Sequence, residues 1–181
     1  IYALLQTTLS SAHYARYEIV AAWLLREQMD RGVDMRESNL KNFIPWDSVQ
    51  VELSTLRTFT WGTYVIENNF SNTNLIVDTI DGSIKKSPIY LKKIDEPASN
   101  PKRIWEQTRL YLDDKNRYTH TNWKSTPYAS YIIVTPLAIN RTEITKDNKN
   151  QWWIIDARVI TKDGNKYYEY DAKTMITDWQ K

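Results

Sequence analysis

Asp156 has the most suggestive neighbours of any acid in the chain. It follows Trp152-Trp153-Ile154-Ile155, and Arg158 stands two residues on. A carboxylate against apolar walls has its charged form disfavoured, which lifts its pKa toward values useful for proton transfer. Residues two apart on a strand share a face, so Arg158 is equally placed to neutralise it. The ion pair with Arg158 is the preferred reading. If the chain is an enzyme, Asp156 is its proton acceptor. Trp61, Tyr64, Trp152, Ile154 and Tyr170 are the candidates to line a pocket or an interface, because such side chains offer apolar area, several with one polar tip. A core or subunit-interface role is preferred for them.

Other chemistries lack their parts. There is no cysteine, which excludes disulfides, thiolate catalysis and Cys-ligated metals. The two histidines, His13 and His120, stand far apart with no HxxxH or HExxH spacing, so no metal site is expected. No GxSxG elbow is present to hold a nucleophilic serine. With only 4 glycines and neither GxGxxG nor GxxxxGK[ST], a phosphate-cradling loop is hard to build and no cofactor is expected. Asp113-Asp114 and Asp95-Glu96 are adjacent residues that do not converge, and they read as solvated surface. A net charge of +2 from 24 basic and 22 acidic side chains does not suggest nucleic-acid binding. Lys85, Lys86, Lys92, Lys93, Lys102 and Arg103 form a basic region diluted by Asp95 and Glu96. Asn69-Phe70-Ser71 and Asn140-Arg141-Thr142 are sequons that matter only in a glycosylating source.

The elements that must position these residues read as one α+β domain over residues 1–181. Residues 10–31 form an amphipathic helix with Tyr14, Tyr17, Val20, Ala21, Leu24, Leu25 and Met29 at spacings of three and four, stopped at Arg31-Gly32. A second helix is expected over 35–43, with Met35, Leu40 and Phe43 on one side and Pro45 ending it. Alternation at Val49-Val51-Leu53 and Phe59-Trp61-Thr63 predicts strands, as do Leu75–Thr79 and Ile89–Leu91 around the turn signal Asp81-Gly82. Asn100 and Pro101 cap a helix over 101–113. Residues 114–127 read as irregular. Ser130–Thr145 is strand-like, and Gln151–Thr161 and Lys166–Thr177 flank the hairpin signal Lys162-Asp163-Gly164-Asn165. Trp153, Ile155, Ala157 and Val159 make a core face. Trp152, Ile154, Asp156, Arg158 and Ile160 make a second, mixed face, so this strand is central and something must cover both sides. The fold class is α+β, with N-terminal helices packed on a curved, cone-like antiparallel sheet rich in Trp (8) and Tyr (12).

That order, with Trp152-x-Ile154, Lys162-Asp163-Gly164 and Tyr168-x-Tyr170 in a long last hairpin, resembles the nuclear-transport-factor-two-like superfamily. The resemblance rests on Gln151–Ile160, Asp163-Gly164 and Tyr168–Thr177, and spans most of the chain by element order. It implies one of two branches. One is the small ligand binders and cofactor-free isomerases or dehydratases, with Asp156 in an aromatic pocket. The other is the periplasmic scaffold domain of VirB-type secretion and conjugation machines, which follows a membrane anchor and opens on a long helix. No apolar run approaches a membrane span. Ile1–Leu5 reads either as a stub after a removed signal or anchor, or as a frayed helix start. The preferred expectation is a non-enzymatic interaction and scaffold domain, extracytoplasmic, with protein partners and homo-oligomerisation, and touching a membrane only through a segment outside this chain. A phage or pilus structural subunit is the third alternative.

Overall fold

The computed structural model describes residues 2–41, 48–51, 55–58, 62–68, 76–77, 84–85, 89–94, 100–120, 124–136 and 152–177. A single 40-residue helix, α1 (Tyr2–Lys41), replaces the two expected helices. Its sequence is rich in good helix formers and free of proline. The pairs Arg26–Asp30 at 3.7 Å and Arg31–Glu27 support it along its side. Gly32 does not end it. Gly32 is buried where α1 crosses the sheet, and a Cβ there would lie 2.6 Å from Cδ1 of Ile155. The glycine serves close approach rather than a left-handed end. Phe43 and Pro45 lie outside the described residues.

The strands follow as β1 (Ser48–Val51), β2 (Thr55–Thr58), β3 (Gly62–Asn68), β4 (Ile76–Val77), β5 (Ile84–Lys85) and β6 (Ile89–Ile94). Asp81-Gly82 lies outside the described residues, while β4 and β5 pair antiparallel on either side of it. Helix α2 (Pro101–Thr108) starts as its cap residues dictate: Asn100 Oδ1 accepts from the Lys102 amide at 2.9 Å and Pro101 opens the helix. It is shorter than expected. At Arg109 the backbone turns extended, and β7 (Arg109–Leu112) begins. Pairing with the sheet overrides the helical pattern here, and Leu110 enters the core at 2% exposure.

The stretch 114–127 is not irregular throughout. It holds the turn of a hairpin from β7 to β8 (Tyr118–Thr119) and the start of β9 (Lys124–Pro136). Asp113 builds the turn, accepting through Oδ1 from the amides of Lys115 (2.9 Å) and Arg117 (2.8 Å). Asn116 takes the left-handed conformation that the turn requires. The last hairpin, β10 (Trp152–Asp163) and β11 (Lys166–Thr177), turns at Gly164 with φ of 57°, as the Asp163-Gly164 signal predicts. Of the expected strand Ser130–Thr145, the part to Pro136 is β9, and the rest lies outside the described residues.

The sheet runs in the order β11-β10-β9-β3-β6-β1-β2, antiparallel except for the β1–β6 bridge. One edge of β9 is shared: its first half pairs with β7 and Ile132–Val134 with β3. The other edge is matched residue for residue to β10. This gives the α+β architecture of a helix packed on a curved antiparallel sheet.

Strand β10 is covered on both faces. Trp153, Ile155, Ala157 and Val159 join Leu24, Leu25, Met35, Tyr64, Ile132 and Ile176 beneath α1. On the opposite face, Ile160 joins Trp105, Ala129 and Tyr131 beneath α2. Trp105 is locked there, its Nε1 donating to Pro127 O at 3.2 Å and its ring bracketed by Arg109 (4.6 Å) and Lys162 (4.8 Å).

Candidate interaction surface

Helix α1 is apolar on two sides. One side packs: Ala21, Leu24 and Leu25 are buried, and Tyr17, Val20 and Met29 lean on the core. The other carries large apolar side chains into solvent. Every side chain from Tyr2 to Arg16 is exposed. Tyr2 is 83% exposed, Leu4 72% and Leu9 70%. The helix reaches the sheet at Tyr14, whose hydroxyl shares a 3.2 Å hydrogen bond with that of Tyr168. About 18 Å of helix lies ahead of that point. Further along, Ile19 is 70% exposed, and Trp23 is half exposed with its ring 5.9 Å from Tyr118. A surface that concentrates apolar side chains in this way marks an interaction site. Reading α1 for its core stripe alone misses Leu4, Leu5, Leu9, Ile19 and Trp23. Leu5 and Leu9, and Ile19 and Trp23, are each four apart on one side of the helix, and that spacing is the available signal.

The pocket candidates do not converge. Tyr64 is buried in the core on β3, and Tyr170, three strands away on β11, leans on the same core from the edge of the sheet. Trp152 and Ile154 are half-buried on strand positions that alternate with Trp153 and Ile155, so they face the other way. Trp61 lies outside the described residues.

Asp156 is ion-paired. Its Oδ2 accepts from Arg158 Nη2 at 2.9 Å, with Lys173 Nζ at 3.6 Å. Arg158 Nη1 donates to Glu169 Oε1 at 2.8 Å, and Tyr131 OH donates to the same oxygen at 2.8 Å. The hydrogen bonds from Arg158 to Asp156 and Glu169 raise the guanidinium pKa still further. Burial first, then the Glu169 carboxylate, raises the Tyr131 phenol and keeps it a donor. This is a cross-strand charge cluster, and Asp156 is bound into it. Asp156 Oδ1 is buried and takes no hydrogen bond among the described residues.

The histidines are apart. His13 is exposed and stacks edgewise on Tyr17 at 4.6 Å. His120 is half-buried, its Nε2 3.2 Å from Ser130 O, while Ser130 Oγ accepts from Gln28 Nε2 of α1 at 3.3 Å. Burial pushes the His120 pKa down to about 4, and Arg31 and Lys92 add to the shift. The native state therefore resists a proton that the unfolded chain takes up near pH 6.5. Stability is full above that pH, falls between pH 6.5 and about 4, and levels off below. The drop expected from this group is about 3 kcal/mol. Urea denaturation at pH 7, 5.5 and 4 checks it, with His120→Gln losing that share of the slope. A variant with the wild-type pH slope would show that His120 does not carry it.

Comparison of the chain with protein families, with characterised proteins and with solved structures found no match. No described helix is long and apolar enough to cross a membrane.

Proposed function

We propose that this domain is a non-enzymatic interaction module, the extracytoplasmic scaffold part of a membrane-anchored secretion or conjugation assembly that works by protein–protein contacts and oligomerisation. One observation carries the reading. The first turns of α1 stand off the sheet with Tyr2, Leu4, Leu5 and Leu9 in solvent. Side chains of this kind are stabilised by burial at roughly 1.5–3 kcal/mol each, which a docked partner would supply. The best candidate for acid–base work, Asp156, is engaged by Arg158 and lends the enzymatic alternative no support.

A photo-crosslinking amino acid at position 5 of the full-length protein, in its native cells, tests this. Discrete protein adducts are expected, and they should disappear when Leu9→Asp is added. Absence of any adduct from position 5 would overturn the reading.

A further inference from the structure

We infer that a second copy of this chain covers the outward side of α1, in an antiparallel helix pair with its twofold axis beside Tyr14. This rests on the interaction reading above and names the partner. Beginning at Tyr2, the outward residues Leu5, Leu9, Ala12, Arg16, Ile19 and Trp23 recur at alternating steps of three and four. All are exposed, and on a helix of 3.6 residues per turn they occupy an arc of roughly 100°. A strict repeat averaging 3.5 residues over three heptads is the pattern of a helix that pairs with another helix. It is narrower and more regular than a membrane-surface face. From Tyr2 to Ala15 there is no lysine or arginine to meet anionic headgroups.

The seam is complementary to itself in one orientation. Paired head to tail about residue 14, Leu5 meets the partner's Trp23, Leu9 meets the partner's Ile19, and Ala12 meets the partner's Arg16. Each contact occurs twice, as an isologous interface requires. Large apolar groups then meet large ones, and the smallest side chain faces the longest. A parallel, in-register pair would instead oppose Arg16 to Arg16 in the middle of the seam. The antiparallel pair also explains the projection of α1. The free turns of one copy lie over the outward Ile19 and Trp23 of the other. The exposed seam offers on the order of 600 Å² per helix, about 1,200 Å² for the pair, at the lower bound for a stable interface. Weak, concentration-dependent association is the expected result.

Cysteine chemistry tests this cleanly, because the chain has none. In the purified chain, the double variant Leu9→Cys/Ile19→Cys is expected to oxidise to a covalent dimer. Within one helix those positions are about 15 Å apart, beyond disulfide reach. Leu9→Cys alone should stay monomeric on oxidation. Sedimentation equilibrium of the unmodified chain should show a monomer–dimer equilibrium, weakened about a hundredfold or more by Leu9→Asp/Ile19→Asp. Far-UV circular dichroism of that variant should be unchanged, as expected of exposed positions. Three results overturn the pairing: a chain monomeric at all concentrations, crosslinking of Leu9→Cys alone as efficient as that of the double variant, or a dimer indifferent to the two aspartates. If the purified chain is monomeric while position 5 still forms adducts in cells, self-pairing is wrong and the interaction reading stands. If the adducts are absent as well, the reading itself falls.

Discussion

Replacing Gly32 by valine should destabilise the fold by about 3 kcal/mol, the upper end for forcing extra methyl groups into a packed interior. Gly32 lies in mid-helix, where glycine is itself unfavourable by about 1 kcal/mol relative to alanine. The close crossing of α1 over β10 offsets that penalty. A Cβ at this position would stand 2.6 Å from Cδ1 of Ile155, and Ile155 is 0% exposed. Cδ1 is the far end of its side chain, so a single methyl can be accommodated by rotation. Gly32→Ala should therefore be close to neutral, with gained helix propensity balanced against crowding. The sharper test is a cycle. Ile155→Val alone should cost about 1 kcal/mol. In Gly32→Ala/Ile155→Val the new methyl occupies the space left by Cδ1, and the double variant should be about 1 kcal/mol more stable than the sum of the singles. Urea midpoints measure all four proteins. Strict additivity would mean that the two residues do not meet.

Removing Arg158 should be nearly as damaging. Arg158→Ala leaves Asp156, 7% exposed, without its guanidinium, and takes one of the two donors from Glu169 Oε1. Breaking one side of a buried pair costs about 3–5 kcal/mol. The partial exposure of Arg158 and the ammonium of Lys173 at 3.6 Å place it at or just below the bottom of that range, about 2–3 kcal/mol. Replacing both partners at once, as Asp156→Leu/Arg158→Met, should recover most of that loss, because no unpaired buried charge remains and Glu169 and Lys173, which lose a partner, are exposed. Denaturation at pH 7 reads both. A loss below about 1 kcal/mol for Arg158→Ala, or a double variant as unstable as the single, would show that the pair is not held as described.

Some of this is legible in the chain alone. Period-two alternation places Trp153, Ile155, Ala157 and Val159 on one face, and all four are buried. Asp156 and Arg158 are two apart on a strand, so their pairing can be read without coordinates. Glu169, Tyr131 and Lys173 cannot be added to it that way. They arrive from β9 and β11 through registers that set Arg158 opposite Tyr131 and Asp156 opposite Lys173. The cap at Asn100 and the turn at Gly164 are written in single residues, because each satisfies a backbone demand on the spot. The end of α2 is not, because the pattern around Leu110 suits a helix until β9 supplies strand partners.

The sequence by itself determined the class of the fold, the two-faced strand β10, the last hairpin and the helix start at Pro101. These are local: each depends on the period of nearby side chains or on one residue's backbone preference. Tertiary structure alone decided that Gly32 lies inside a helix rather than after one, and that a second apolar stripe of α1 stays in solvent. The same glycine fits a helix end or a close crossing, and both stripes repeat at helical spacing. Only contacts between distant residues choose between them, such as Gln28 with Ser130, 102 positions apart, and Gly32 against Ile155. By packing one stripe of α1, those contacts leave Leu5, Leu9 and Ile19 in solvent, and the proposed function rests on that exposed surface.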